Sequence, residues 1–192
     1  MRIIGGTAAG LLIKVPKGQD VRPTADLVRQ AVFNSLGARV VGARVLELFS
    51  GSGALGLECL SRGAEAVLSV EKINRHAAMI RQNLANVHLP AENFELRVQD
   101  VFTLIGQLAA EGREFDLILA DPPFGEKNIG RRSTSLSQRL LDDQRLPGLL
   151  AGGGMFVLGH TKRDTLSMPP YWREAKIMKH GDSMMRFMTK GN

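Results

Sequence analysis

The segment Asp121-Pro122-Pro123-Phe124 places a carboxylate, two prolines and an aromatic ring in one turn, directly after the apolar run Leu117-Ile118-Leu119-Ala120. Two successive prolines fix φ and restrict the residue before each of them, so we expect a rigid turn. The Asp121 carboxylate and the Pro122 carbonyl can then accept both hydrogens of one planar amino group, while Phe124 stacks on the attached ring. The motif therefore indicates chemistry at an amine nitrogen. The alternative is a surface turn without a chemical role.

A glycine-rich loop stands earlier in the chain, at Glu47-Leu48-Phe49-Ser50-Gly51-Ser52-Gly53. Gly51 and Gly53 allow a tight turn and let the backbone approach a ligand at a helix N-terminus. Glu71 follows Gly53 by 18 residues, which is close to the spacing at which an acid accepts hydrogen bonds from ribose hydroxyls. Asp100 follows the next strand and can accept from an adenine amino group. Together these residues predict a nucleoside site.

The elements that must position these residues alternate along the chain from residue 45 onward. Apolar patterning predicts strands at 45–49, 66–70, 94–98, 116–120 and 155–158, and helices at 54–62, 74–86 and 102–110, with a longer helical connection to residue 150. Such alternation predicts a parallel, doubly wound sheet, in which ligands bind beyond the carboxyl ends of the strands. Segments 172–178 and 184–189 flank a turn and predict an antiparallel hairpin at the sheet edge.

The first 40 residues are predicted to form an extension in front of the main domain, which spans residues 41–192. Residues 3–15 are punctuated by glycine and predict short strands or a hairpin. Residues 26–36 carry apolar side chains at helical spacing. Thr24 is the expected N-cap of that helix, and Asp26 favours the positive end of the helix dipole.

Composition limits the class of protein. The chain has 192 residues, 44% of them hydrophobic and 23% charged, which fits one folded domain with a short extension. No apolar run reaches the roughly 20 residues of a membrane-spanning helix, and the N-terminus does not resemble a secretory signal. The single cysteine, Cys59, excludes an internal disulfide, and the histidines lack ligand spacing, so no metal site is expected. A cytoplasmic location without membrane partners is predicted.

The net charge of +6 is distributed unevenly along the chain. Residues 1–45 carry +5, residues 46–158 carry −3 and residues 159–192 carry +4. Clustered lysines and arginines neutralise phosphates and release counterions, so a polyanionic partner is one explanation. Ordinary solvated surface charge is the other. The low aromatic content of 5% argues against a broad base-stacking surface.

These motifs resemble those of amino-directed methyltransferases that depend on S-adenosylmethionine. Asp121-Pro122-Pro123-Phe124 is similar to their catalytic motif, and residues 47–53 are similar to their cofactor loop. The chain resembles more narrowly the bacterial family that methylates guanine N2 in 16S ribosomal RNA. The segments that carry this resemblance are Arg2-Ile3-Ile4-Gly5-Gly6, Arg22-Pro23-Thr24-Ala25-Asp26, Ala31-Val32-Phe33-Asn34-Ser35-Leu36 and Gly181-Asp182-Ser183, so it covers nearly the whole chain.

The resemblance implies a Rossmann-like class I methyltransferase fold, with a mostly parallel seven-stranded sheet, a C-terminal antiparallel hairpin and the N-terminal extension. It implies direct methyl transfer from S-adenosylmethionine to guanine N2, without a metal, by a monomer acting on 16S rRNA, the small ribosomal subunit or an assembly intermediate. The implied catalytic residues are Asp121, Pro122 and Phe124. The implied cofactor contacts are Glu47, Gly51, Gly53, Glu71, Asp100 and Thr24. The basic residues expected at the RNA are Lys14, Lys17, Arg22, Arg29, Arg131 and Arg132.

The chain departs from the family pattern at two places, and other functions stay open. Ala9 and Leu11 stand where the family usually has basic residues, and Gly159-His160 stands where an acid commonly follows the fifth strand. The same amine chemistry also serves adenine, cytosine and glutamine amides. A nicotinamide-dependent oxidoreductase would fit the glycine pattern but leaves the turn at Asp121 unexplained. A noncatalytic RNA-binding module would not need the two acceptors of that turn.

Overall fold

The computed structural model describes residues 1–16, 26–123, 128 and 131–191. Its strands are β1 (Arg44–Leu48), β2 (Ala66–Val70), β3 (Phe94–Arg97), β4 (Phe115–Ala120), β5 (Leu150–Thr161), β6 (Trp172–His180) and β7 (Ser183–Lys190). They form one sheet in the order β3-β2-β1-β4-β5-β7-β6. Strands β1 to β5 are parallel, whereas β7 runs antiparallel to β5 and β6. The chain order reverses between β1 and β4, which creates the crevice where such sheets bind ligands.

Helices cover both faces of the parallel part of the sheet. They are α1 (Asp26–Leu36), α2 (Ala54–Ser61), α3 (Asn74–Asn86), α4 (Val101–Ala110) and α5 (Leu136–Asp142). Successive strand residues point to opposite faces: in β4, Leu117 and Leu119 pack with α1, α2 and α3, while Ile118 and Ala120 pack with α4 and α5. This confirms the predicted doubly wound sheet. No helix among the described residues is both long enough and apolar enough to cross a membrane.

The predicted extent of β5 was wrong. The strand runs from residue 150 to residue 161, and the three glycines at 152–154 lie inside it rather than in a turn before it. Pairing with β4 shifts register between Phe115 and Leu117, and Gly153 has a φ of 77°. An irregularity of this kind accommodates glycine within a paired strand, so a glycine run does not by itself end a strand.

The N-terminal extension is bonded to α2 through buried side chains. Residues 1–13 form a short hairpin closed by an antiparallel bridge between Arg2 and Leu12, as predicted. The buried Glu58 carboxylate accepts from the backbone N–H groups of Ile4 and Gly5, each at 2.8 Å. The Ser61 hydroxyl accepts from the N–H of Ala8 at 2.9 Å. Extension and domain also share one hydrophobic core, and the boundary at residue 40 stays a prediction.

We expect Glu58→Gln to lower the free energy of unfolding by about 1–3 kcal/mol. The substitution replaces one acceptor oxygen by an NH2 group, which cannot accept from the backbone N–H groups of Ile4 or Gly5. Arg62 Nε, which donates to the same carboxylate at 2.7 Å, adds to the loss. Urea unfolding measures the change, and Glu65→Gln at an exposed position should stay within about 0.5 kcal/mol of the parent. Equal stability of the two variants would contradict the anchoring role of Glu58.

Candidate active site

A cavity of about 840 Å³ lies at the carboxyl ends of the parallel strands, a size typical of ligand sites. Its walls include residues 49–52 after β1, 71–73 after β2, 100–102 after β3 and 121–123 after β4. Met1 and Pro16 of the extension also line it. The structure therefore brings together the glycine loop, the predicted acids and the first part of the Asp121 turn.

The glycine loop has a backbone that few other residues would adopt. Gly53 has a φ of 76°, and a Cβ there would lie 3.0 Å from Ile80 Cγ2. Phe49 has a φ of 58°, a strained value for a bulky residue of the kind that occurs at functional sites. Its ring lines the cavity and packs edge-on against Phe102, with ring centroids 6.4 Å apart. The loop is thus held in a shape that gives a ligand access to the start of α2.

Glu47 holds that start of α2 in place. Its carboxylate accepts from the N–H groups of Leu55 at 3.1 Å and Gly56 at 2.9 Å, and from the Ser69 hydroxyl on β2. Burial raises the pKa of Glu47, and these hydrogen bonds oppose the rise. Sequence reasoning treated Glu47 as a cofactor contact. In the structure its oxygens accept from these groups while the residue also lines the cavity, so Glu47 positions the loop and the helix, and its contact with a cofactor stays a prediction.

Glu71 and Asp100 lie at the ends of β2 and β3, as predicted, and each also stabilises the backbone. Glu71 is 7% exposed and accepts from the N–H groups of Gly51 and Ile73, both at 2.8 Å. Asp100 is the N-cap of α4 and accepts from Phe102 N at 3.0 Å. Both acids line the cavity, so their remaining lone pairs are available to a ligand.

Asp121 lies against the backbone of β5 at a position without a side chain. A Cβ placed on Gly159 would come within 2.2 Å of Asp121 Oδ1. Asp121 and the buried Pro122 both line the cavity. The residue after Gly159, His160, is buried and its Nε2 accepts from Arg186 Nε at 2.9 Å; burial and then the Arg186 charge lower the pKa of His160. The backbone at Gly159, near the end of β5, therefore packs directly against the Asp121 side chain.

The basic residues predicted at the RNA do not all face solvent. Lys14, Arg131 and Arg132 are exposed, and Arg132 forms an ion pair with Asp142 at 2.7 Å. Four predicted site residues lie outside the described residues: Lys17, Arg22, Thr24 and Phe124.

The prediction that Arg29 contacts RNA is corrected by the structure. Its side chain is 0% exposed, and Nη2 donates to the backbone oxygen of Arg2 and to Asp26 Oδ1. Burial lowers the pKa of Arg29, and the nearby carboxylates of Asp26 and Glu58 oppose this. Arg29 follows Asp26 by one helical turn, on the side of α1 that packs inward. It joins α1 to the hairpin instead of binding a partner.

Among the residues of the cavity wall that sequence reasoning missed, three have side chains suited to contact a ligand. His76 lies in the first turn of α3, Phe102 follows Asp100 closely, and Arg139 lies on α5. The Arg139 guanidinium stacks over the Phe102 ring, 4.2 Å from its centroid. The sequence could have indicated Phe102 only through its position two residues after Asp100, an acid at a strand end. It could not have indicated Arg139, because the apolar pattern did not predict the course of the connection between β4 and β5.

Asn83 links the glycine loop to the extension. This amide on α3 is fully buried. Its Nδ2 donates to the backbone oxygens of Ser52 and Lys14, both at 2.9 Å, and its Oδ1 accepts from Lys14 N at 2.8 Å. The loop that borders the cavity and the backbone at Lys14, directly after the hairpin, are therefore bonded to the same side chain.

The sheet order, the glycine loop and the acids at the strand ends define a Rossmann-like methyltransferase fold, as predicted. A solved structure of a hypothetical protein from Thermus thermophilus has a TM-score of 0.80 and 27% identity, covering 98% of this chain and 99% of the other. The solved "Putative methyltransferase yhhF from Escherichia coli" has a TM-score of 0.77 and 30% identity, covering 100% and 98%. The chain belongs to the family described as Conserved hypothetical protein 95, which matches residues 1–189.

Curated relatives carry names that specify a substrate. The Bacillus subtilis protein "Putative rRNA methyltransferase YlbH" is 33% identical over 84% of this chain and 83% of its own length. The Escherichia coli protein "Ribosomal RNA small subunit methyltransferase D" is 37% identical over 65% of this chain. That match spans 60% of the Escherichia coli protein, less than two thirds of its length. The predicted family and fold class are confirmed.

We expect Asn83→Ala to destabilise the protein by about 1–3 kcal/mol, because it leaves buried backbone groups of Lys14 and Ser52 unpaired. Loosening the glycine loop should also weaken binding of S-adenosylhomocysteine, the product of methyl donation, by about tenfold. Urea unfolding and calorimetric titration measure the two effects. Asn86→Ala, at an exposed position of the same helix, is the matched control and should change neither. Unchanged affinity in the Asn83 variant would show that the loop holds its shape without this link.

Proposed function

We propose that this protein methylates the exocyclic N2 amine of a guanine in 16S ribosomal RNA of the small ribosomal subunit. Methylation of ribosomal RNA is supported by the relatives named as rRNA methyltransferases, and S-adenosylmethionine is the methyl donor in this proposal. The observation that carries the finer proposal is the placement of Asp121 and Pro122 on the wall of the cavity, where their oxygens can meet an amine.

The residues of the cavity fit S-adenosylmethionine. Gly51 lines the cavity with a φ of 57°, which leaves its backbone accessible to a ligand, and the cavity volume suits a nucleoside with an extended substituent. Glu71 can accept from the ribose hydroxyls and Asp100 from the adenine amine. When bound, the cofactor would supply a methyl group on a positively charged sulfur: a carbon–nitrogen bond would form as the carbon–sulfur bond breaks, leaving a neutral thioether, and the extra proton on nitrogen would pass to water.

Asp121 and Pro122 orient the amine in this proposal. Their two oxygen acceptors engage its hydrogens, which directs the nitrogen lone pair and raises its electron density. Positioning and electrostatics are sufficient catalytic contributions, because the methyl group is already activated. Phe124 is proposed to stack on the guanine ring. A guanine within a paired or stacked region must first be flipped out of the stack to reach this turn.

Basic side chains outside the cavity are proposed to bind the RNA phosphates. Lys14, Arg131 and Arg132 are exposed in the structure, and Lys17 and Arg22 complete the set from the sequence. Phosphate contacts position the RNA, whereas the Asp121 turn selects the reacting group. A cytoplasmic location follows from this substrate and, like the monomeric state, stays a prediction.

Labelling with tritiated S-adenosylmethionine tests the function. The substrates are small ribosomal subunits and naked 16S RNA from a strain that lacks the protein, followed by nucleoside analysis. We expect label in N2-methylguanosine of 16S RNA, and Asp121→Asn should lower the rate by about 100- to 1,000-fold because its NH2 would face the amine. Affinity of the variant for S-adenosylhomocysteine should stay within about threefold of the parent, as a change confined to the amine site requires.

The matched control in that experiment is Asp116→Asn at the other end of β4, where the carboxylate pairs with Arg44 at 3.1 Å. It should retain the parental rate. Label in another nucleoside, in large-subunit RNA or in protein would reject guanine N2 in 16S RNA. A fully active Asp121→Asn variant would reject the proposed role of that carboxylate.

We expect Gly159→Ala to displace the Asp121 carboxylate, because the new methyl group would occupy the space 2.2 Å from Oδ1. A displacement of about 1 Å should lower the methyl-transfer rate by about 100-fold. The matched control is Gly152→Ala on the same strand, where a Cβ meets nothing within 4 Å. Rates are compared after calorimetry has shown that both variants still bind S-adenosylhomocysteine. Equal rates would mean that the position of Asp121 does not depend on β5.

A further inference from the structure

His76 lines the cavity, and its buried imidazole carries one ring nitrogen, Nε2, without a partner among the described residues. The residue is 3% exposed. It lines the same cavity as Glu71 and the glycine loop. Leaving a buried polar atom unpaired costs about 1–3 kcal/mol, so this position favours a ligand that supplies the missing partner.

The position of His76 places it at the ribose end of the cavity. Its Nδ1 lies 3.8 Å from Glu71 Oε1, too far for a hydrogen bond but close enough to make the two side chains neighbours. Glu71 occupies the strand end where an acid accepts from ribose hydroxyls in this fold. Each Glu71 oxygen already accepts one backbone N–H, from Gly51 or Ile73, and keeps a second lone pair for a ribose hydroxyl.

We propose that His76 is a second ribose-binding residue of the cofactor site, which hydrogen-bonds a ribose hydroxyl through Nε2. A hydroxyl both donates and accepts, so it pairs with Nε2 in either tautomer of a neutral imidazole. A hydroxyl that donates to Glu71 also keeps lone pairs that can accept from His76. The inference rests on the S-adenosylmethionine site and is independent of which RNA, or which base, is methylated.

The experiment compares two amide substitutions at this one position. The amide of glutamine reaches approximately to the place of Nε2, whereas that of asparagine reaches only to that of Nδ1. We expect His76→Gln to bind S-adenosylhomocysteine within about threefold of the parent and His76→Asn to bind about tenfold more weakly. His88→Asn, an exposed histidine away from the cavity, is the control and should bind like the parent.

Analogues of S-adenosylhomocysteine without the 2′-hydroxyl or without the 3′-hydroxyl identify the contacted group. The parent and His76→Asn should bind the analogue that lacks the contacted hydroxyl with equal affinity. They should still differ in affinity for the analogue that keeps this hydroxyl. Equal affinity of the two amide variants would overturn the proposal. So would an equal loss with both analogues, because His76 would then act through the shape of the cavity or through a bound water.

A measurement on the unsubstituted protein covers the case in which neither variant folds. With ¹⁵N-labelled histidine, the Nε2 resonance of His76 should shift on addition of S-adenosylhomocysteine and stay unshifted with one of the two deoxy analogues. No shift with the intact compound would overturn the proposal. Calorimetry and resonance shifts involve no RNA, so failure of guanine methylation in the labelling experiment leaves this result unaffected, and the reverse also holds.

Discussion

Buried carboxylates that accept backbone N–H groups hold this molecule in its working shape. Glu58 fixes the extension, Glu47 fixes the start of α2, and Glu71 fixes the glycine loop; the donors are Ile4, Gly5, Leu55, Gly56, Gly51 and Ile73. An ionised carboxylate removed from water is tolerated only where such donors replace its hydration. Each of these acids therefore fixes the backbone conformation of one segment. The three segments lie close together, because Glu58 belongs to α2, Glu47 bonds the start of α2 and Glu71 bonds the loop that precedes α2.

This scaffold separates the residues that shape the cavity from the residue proposed to orient the reacting amine. Glu47 and Glu71 are almost fully buried, and their oxygens are bonded to the backbone, so their positions do not depend on a ligand. Asp121, at the end of β4, is only partly buried and lies against Gly159. A preorganised wall costs little reorganisation when a ligand binds, which leaves the orientation of the amine as the main task of the Asp121 turn.

The sequence could predict which strand ends meet, because parallel strands of a doubly wound sheet expose their carboxyl ends at one edge. That rule located Glu71, Asp100 and Asp121. It could not predict the direction of a carboxylate: Glu47 turns back to α2 because two backbone donors and a hydroxyl meet it there. Arg29 was assigned to the surface from its charge alone, but Asp26 and the oxygen of Arg2 hold it inside. His76 had only a helical position, and its unpaired nitrogen becomes visible once α3 is packed.

The charge distribution is consistent with the proposal of two ligands of opposite sign, a cationic methyl donor and a polyanionic RNA. Four carboxylates, those of Glu47, Glu71, Asp100 and Asp121, outnumber the two basic side chains of Lys72 and Arg139 on the cavity wall, while Lys14, Arg131 and Arg132 are exposed at the surface. An acidic lining favours a cationic donor and disfavours entry of a phosphate, whereas the exposed basic groups do the reverse. Once the methyl group has been transferred, the sulfur is neutral and these carboxylates hold the product less strongly. Salt screens exposed charges more than buried ones, so rising ionic strength should release the RNA well before the cofactor.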